Sequence, residues 1–239
     1  MPAILRPTTP TAKRLHSSNQ IHETSKAYLA AAALSVVSTP LPSAPHLVAA
    51  LYTGGESFGT VLGEFESVQV HSCLLPPGMS ALDMELATFH GTCTGVQWQC
   101  VELARRYLLQ LHGVVFDCIP IAHDMFTSAV FRDARSRRQV RATHAPQGGT
   151  VRPVKGSLLI WKNWGVHAPT GHVAVIVAVT NTHVDIIEQN FINTKWPKDR
   201  PYSRRLTARV EKSDNGERYV IATQPDREEM LGWITLDSL

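Results

Sequence analysis

A thiol, an imidazole and a carboxylate follow one another along this chain in an order suited to nucleophilic chemistry. Cys100 stands in Gln97-Trp98-Gln99-Cys100-Val101-Glu102-Leu103-Ala104-Arg105-Arg106-Tyr107, and His172 comes 72 residues later in Thr170-Gly171-His172-Val173-Ala174-Val175. Ile187-Glu188-Gln189-Asn190 then supplies polar groups able to orient that histidine. A thiol attacks poorly until it loses its proton. A neighbouring imidazolium or a helix N-terminus lowers its pKa from about 8.5 to roughly 3.5–7.5. Cys100 is expected to have both, and its thiolate is expected to be sensitive to peroxide. The competing reading is a buried cysteine packed as a small hydrophobe; the flanking Trp98-Gln99 and the later His172 strand favour the nucleophile.

Attack on an amide carbonyl builds charge on oxygen, which a backbone N–H and a side-chain amide can hold. Gln99, next to the nucleophile, is the candidate donor, and its neighbour Trp98 is a candidate substrate contact. Glu188 and Asn190 are two residues apart and are expected on one face of the strand that follows His172. With a turn at Asn181-Thr182, the position opposite His172 falls at about 188–191. Glu188 can then accept a hydrogen bond from the ring and fix its tautomer. Asn190 can do the same or can bind substrate, and the sequence leaves that open. His71-x-Cys73 and His90-x-x-Cys93 offer metal-ligand types, but at a spacing unlike zinc sites, so no metal is expected. No phosphate-cradling glycine loop is present, so no nucleotide cofactor and no ATP are expected.

These groups need a helix and a sheet to hold them. Val101, Ala104, Leu108 and Leu111 predict an amphipathic helix over 101–112. A second helix is expected over 124–134, and the polar, basic stretch 136–149 reads as a loop. Ser157–Trp161, His172–Val179 and Val184–Ile187 are rich in β-branched and aromatic residues and predict strands. The order, helix before sheet, predicts an α+β domain over residues 51–239. Residues 1–50 are expected to be a disordered extension or targeting segment: basic and acid-free at first, then an apolar run at 27–37 ended by Pro40, Pro42 and Pro45.

The whole composition is that of a globular protein, with 44% hydrophobic and 18% charged residues in 239. The net charge of +3 belongs to Arg6, Lys13 and Arg14, while residues 23–239 carry 20 basic and 20 acidic groups. No basic face is implied, so no nucleic-acid partner is expected. Four cysteines at irregular spacing fit reduced thiols, and no apolar run reaches the roughly 18 residues a membrane helix needs. A cytoplasmic location is expected, with an organelle or secretion as the alternatives that residues 1–50 leave open.

Phe58-Gly59-Thr60-Val61-Leu62-Gly63, the Trp98–Arg106 string, Gly156-Ser157-Leu158-Leu159-Ile160-Trp161, Thr170–Ala174, Glu188-Gln189-Asn190 and Leu231-Gly232-Trp233 occur in that order. Together they resemble the N-terminal amidase domain of glutathionylspermidine synthetase/amidase and trypanothione synthetase. That domain is a CHAP domain, of the cysteine, histidine-dependent amidohydrolases/peptidases. The resemblance implies a papain-like α+β fold and amide hydrolysis through a thioester. It implies Cys100 as nucleophile, His172 as base, Glu188 as orienting carboxylate, Gln99 in the oxyanion hole, and Arg105 and Asn190 as substrate contacts. The implied substrate is a small-molecule amide such as glutathionylspermidine. Other CHAP domains cut peptide cross-links of bacterial cell walls, and a silent binding module using the same cleft is the third reading. Two departures stand out. Six residues follow Trp233, where the bifunctional relatives continue into an ATP-dependent ligase, so hydrolysis without synthesis is expected. The stretch Gly91–Gln97 also lacks the acidic residues that would attract a polyamine.

Overall fold

The computed structural model describes residues 54–239 apart from 81, 82, 120, 215 and 238. The expected extension over 1–50 therefore lies outside the described residues. Two short hairpins come first: β1 (Val61–Phe65) with β2 (Val68–His71), and β3 (Leu86–Phe89) with β4 (Thr92–Val96). The long helix α1 (Cys100–His112) follows, then β5 (Val114–Phe116), a one-turn helix α2 (Met125–Ser128), β6 (Phe131–Asp133) and β7 (Gln139–Val140). Strands β8 (Ala142–Pro146), β9 (Leu158–Trp161), β10 (His172–Val179), β11 (His183–Ile187), β12 (Arg204–Ser213), β13 (Gly216–Ile221) and β14 (Met230–Leu236) form one seven-stranded sheet. Its order is β13-β12-β11-β10-β9-β14-β8, with antiparallel pairings throughout. The architecture is α+β.

Helix α1 buries Cys100, Leu103, Ala104, Tyr107 and Leu108, an i, i+3, i+4, i+7, i+8 stripe. Val101 and Leu111, expected on that stripe, flank it and are only partly buried. Gly113 ends the helix in the left-handed region (φ 64°), its N–H donating to the Leu108 and Leu109 carbonyls. The stripe packs on β10, whose alternating side chains serve two cores. Val173, Val175 and Val177 face the helix side, while Ala174 and Ile176 join Trp161, Trp233 and Tyr219 on the other.

That second face is covered by the sheet itself. The Tyr219 N–H on β13 donates to the Gly149 carbonyl just after β8 (3.0 Å), and Arg218 Nε donates to Gly148 (2.5 Å). The sheet thus rolls until its two edge strands nearly meet, and Tyr219 meets Trp233 edge-on at 6.1 Å.

Two expectations fail. The helix expected over 124–134 stops at Ser128, because Ala129 turns extended (φ −68°, ψ 122°) and buried Phe131 pairs with Phe116. The loop expected over 136–149 holds β7 and β8; β8 pairs along β14 as an edge strand, and its mostly polar, outward residues conceal it.

Candidate functional site

The first turn of α1 presents Cys100 at a helix end that no side chain caps. Its N–H groups therefore lack intrahelical partners, and those of Cys100 and Val101 aim at the Cys100 sulfur, joined by the Val173 N–H from β10. Because Val173 is bonded to His172, the thiol lies against the head of the strand that carries the histidine. Gly171, at φ 72°, makes that approach possible: a Cβ there would sit 2.7 Å from the Trp161 carbonyl and 2.8 Å from the His123 nitrogen.

His172 is buried, with Nε2 3.0 Å from Glu188 Oε2. The β10–β11 pairing brings Val175 opposite Ile187, so Glu188 lies just beyond β11 and level with the start of β10. Glu188 is 1% exposed and fully engaged. Arg204 Nε and Nη2 donate to its two oxygens at 2.5 and 2.9 Å, and its backbone N–H donates to Ser203 Oγ at 2.8 Å. Burial would raise its pKa, but the Arg204 charge and the His172 hydrogen bond outweigh it and hold the carboxyl at about 2. His172 Nε2 is thus committed to an ionised carboxylate.

Burial pushes the Cys100 thiol up to about 11, against the pull of the three N–H groups. This corrects the expectation of a thiol with a lowered pKa: desolvation of the anion outweighs the helix end. The resting group at this helix end is a protonated thiol.

The other sequence-picked residues divide. Gln99 donates through Nε2 to Cys73 Sγ (3.4 Å) and Met84 Sδ (3.5 Å), and its Oε1 accepts from Asn190 Nδ2 at 2.7 Å. Asn190 therefore holds Gln99, and Glu188 alone of the pair meets His172. Asn190 also leaves the strand geometry expected of it, adopting φ 57°, a left-handed conformation asparagine tolerates. Arg105 is 9% exposed, its guanidinium carbon lies 5.8 Å from the Phe116 ring centroid, and its buried Nε has no partner among the described residues. It lines the same pocket as Gln99, Cys100, Phe116 and Thr170, about 580 Å³ of empty space partly open to solvent. Trp98 points elsewhere. It stacks on His71 (centroids 3.9 Å apart) and lines a separate groove with Gln69 and Phe89.

Several residues escaped the sequence reading. Buried Glu102 accepts from Arg106 Nε (2.8 Å), Thr94 Oγ1 (2.8 Å) and Gln189 Nε2 (3.1 Å), and Gln189 Oε1 accepts in turn from Arg106 Nη2 (3.0 Å). This network ties α1 to the segment after Glu188. Arg204 grips Glu188 from β12. His167, one of eleven histidines, stacks on His172 and bonds Glu228. Neither has a local signal; the β11–β12 pairing and the loop before β10 bring them in.

Residues 91–190, which contain the thiol, the imidazole and the carboxylate, match the CHAP domain family. The chain is also similar to named curated proteins. The bifunctional glutathionylspermidine synthetase/amidase of Escherichia coli (strain K12) is 36% identical over 140 residues, 59% of this chain and 22% of that protein. The glutathionylspermidine synthase of Crithidia fasciculata is 34% identical over 146 residues (60% and 19%), and its trypanothione synthetase 30% over 142 (59% and 21%). The chain spans about a fifth of the length of these relatives. No helix among the described residues is long and apolar enough to cross a membrane.

Proposed function

We propose that this chain is a cysteine amidohydrolase whose papain-like centre is Cys100, His172 and Glu188. The observation that carries the proposal is the buried hydrogen bond from His172 Nε2 to Glu188, on a strand head whose next N–H reaches the Cys100 sulfur. His172 takes the thiol proton through Nδ1 as sulfur attacks the amide carbonyl carbon. The tetrahedral oxyanion forms at the uncapped start of α1, where backbone N–H groups stabilise it. Its collapse breaks the C–N bond as His172 gives its proton to the departing amine. Water, deprotonated by the same ring, then hydrolyses the thioester and restores the thiol. Gln99 contributes its amide to the oxyanion only by exchanging two weak sulfur acceptors for it, and Asn190 fixes which end of the amide is presented.

The substrate proposed is a glutathionylspermidine-type amide. The similar curated proteins bear that chemistry in their names, and Arg105 offers the Cys100 pocket a buried, under-partnered guanidinium suited to a carboxylate on the acyl half. The domain proposed to hold this centre is residues 51–239. Mass spectrometry of glutathionylspermidine incubated with the protein tests the reading, with Cys100→Ala as control. Free glutathione and spermidine from the wild type alone are expected. No release, with Cys100 still alkylated in a His172-dependent way, would keep the hydrolase and overturn the substrate in favour of a cell-wall peptide.

A further inference from the structure

His172 is walled by three flat rings besides its hydrogen bond to Glu188. Trp161, its cross-strand partner on β9, lies 5.4 Å away between centroids, Phe191 also 5.4 Å, and His167 5.0 Å at an interplanar angle of 5°. His167 is anchored in that parallel stack by its own Nε2 bond to Glu228 (3.2 Å), and Trp161 and Phe191 touch it too. We propose that His167 is a positioning residue, a neutral π-face anchored by Glu228 that stabilises the imidazolium His172 becomes when it takes the Cys100 proton.

The proposal rests on the Cys100–His172 reading above and adds a residue to it. A cation within about 6 Å of a ring face is stabilised, and more so away from water. A parallel imidazole can play that part only while uncharged, since a second imidazolium would repel the first. His167 meets this condition, because burial holds its pKa down to about 4 despite the Glu228 bond. The charged and titratable groups around the pair are Glu188 beyond β11, Arg204 on β12, Glu228 before β14 and Cys100 on α1. Arg204, whose guanidinium carbon is 4.4 Å from the Phe191 centroid, and His172 both disfavour a proton on His167, while Glu228 favours one. The surroundings thus accept one positive ring, and the Glu188 contact assigns it to His172.

Alkylation of Cys100 by iodoacetamide, followed against pH in the full chain, reads this without any substrate. The reactive population is the thiolate–imidazolium form, in equilibrium with the neutral pair. Removing the ring face lowers the basicity of His172, so the acidic limb moves down and the neutral-pH plateau falls by the same factor. His167→Gln, which keeps a donor for Glu228 but removes the ring, is expected to move the limb down by about half to one unit and lower the plateau about three- to tenfold. His167→Phe, which keeps a face but no titratable group, is expected to retain both. A limb and plateau unmoved in His167→Gln would overturn the proposal, as would His167→Phe behaving like His167→Gln. If His167→Gln does not fold, the Phe variant decides: a retained profile supports the role and a shifted one overturns it. A wild-type profile indifferent to His172→Ala would sink the dyad, and this role with it.

Discussion

Glu188 is the residue on which the histidine's orientation turns. It lies between one imidazole and one guanidinium, with no water-facing surface of consequence. In the proposed mechanism the carboxylate does two things: its shape fixes the tautomer, and its charge balances the imidazolium. Glu188→Gln keeps much of the shape and removes the charge, leaving Arg204 buried beside a neutral amide. Amide hydrolysis is expected to fall on the order of 10²-fold or more, with the loss in kcat rather than KM. A change in KM alone would show that Glu188 holds substrate and does not orient the base. The Cys100 thiol sharpens the same point: burial holds its proton on until about 11, so under the proposed mechanism reactivity at neutral pH requires His172. His172→Ala should therefore abolish fast alkylation near pH 7 and leave a rate that climbs only in strong alkali. Equal labelling of both proteins at pH 7 would contradict this.

At the scale of elements, three junctions make the site: the start of α1, the head of β10 and the exit of β11. Gly171 sets the second. Gly171→Ala must accommodate a Cβ within 3 Å of two backbone segments at an unfavourable φ, so the head of β10 has to shift. A displacement near 1 Å at a reacting group costs on the order of 10²-fold. Activity is expected to drop by that order while the far-ultraviolet circular dichroism stays native, and full activity would show that β10 is not positioned this tightly. Glu102 sets the first junction. Glu102→Ala leaves Arg106 buried and uncompensated, a loss of about 3–5 kcal/mol, measurable as a lower urea midpoint; an unchanged midpoint would mean the network is incidental.

The elements differ in how far they could be read from sequence. Strands β9 and β10 are apolar runs buried on both faces, β11 is rich in β-branched residues around Asp185, and α1 carries an apolar stripe, so these elements are legible in the sequence, while Cys100 and His172 are legible through their motifs and order. Strand β8 has one buried position among five, Ala145, and its pattern resembles a loop until β14 is beside it. Arg204 escaped for a related reason. Its role exists only through the pairing of Ile186 with Arg204 across β11 and β12, and register is not written in either strand alone.

The rolled sheet buries the layer behind His172 as part of one structure, so the charges of the site also bear on the stability of the whole chain. His167 binds a proton near pH 6.5 when unfolded but only near 4 when folded, because burial disfavours its charged form. Between those values the unfolded state carries the extra proton, so stability falls as pH drops from 6.5 to 4. Glu188, with a folded pKa of about 2 against 4.5, continues the loss below 4.5: its contribution is complete above 4.5 and disappears as pH falls through 2. Urea unfolding of the wild type should therefore lose on the order of 2–3 kcal/mol between pH 7 and pH 4 through His167. His167→Phe cannot take a proton in either state, and its stability should be flatter over that window even if lower at pH 7. A wild-type midpoint level from pH 7 to 4.5 would mean that His167 opens to water and takes its proton without unfolding. The alkaline side has the opposite sign. The thiols of Cys100 and Cys73 are raised to about 11 and 12 from about 9, so their contribution is complete below pH 9 and is lost as pH rises through 11 and 12. The two slopes confine the site to a window in which Glu188 is ionised, His167 neutral and Cys100 protonated, the state from which, in the proposed mechanism, one proton transfer to His172 creates the nucleophile.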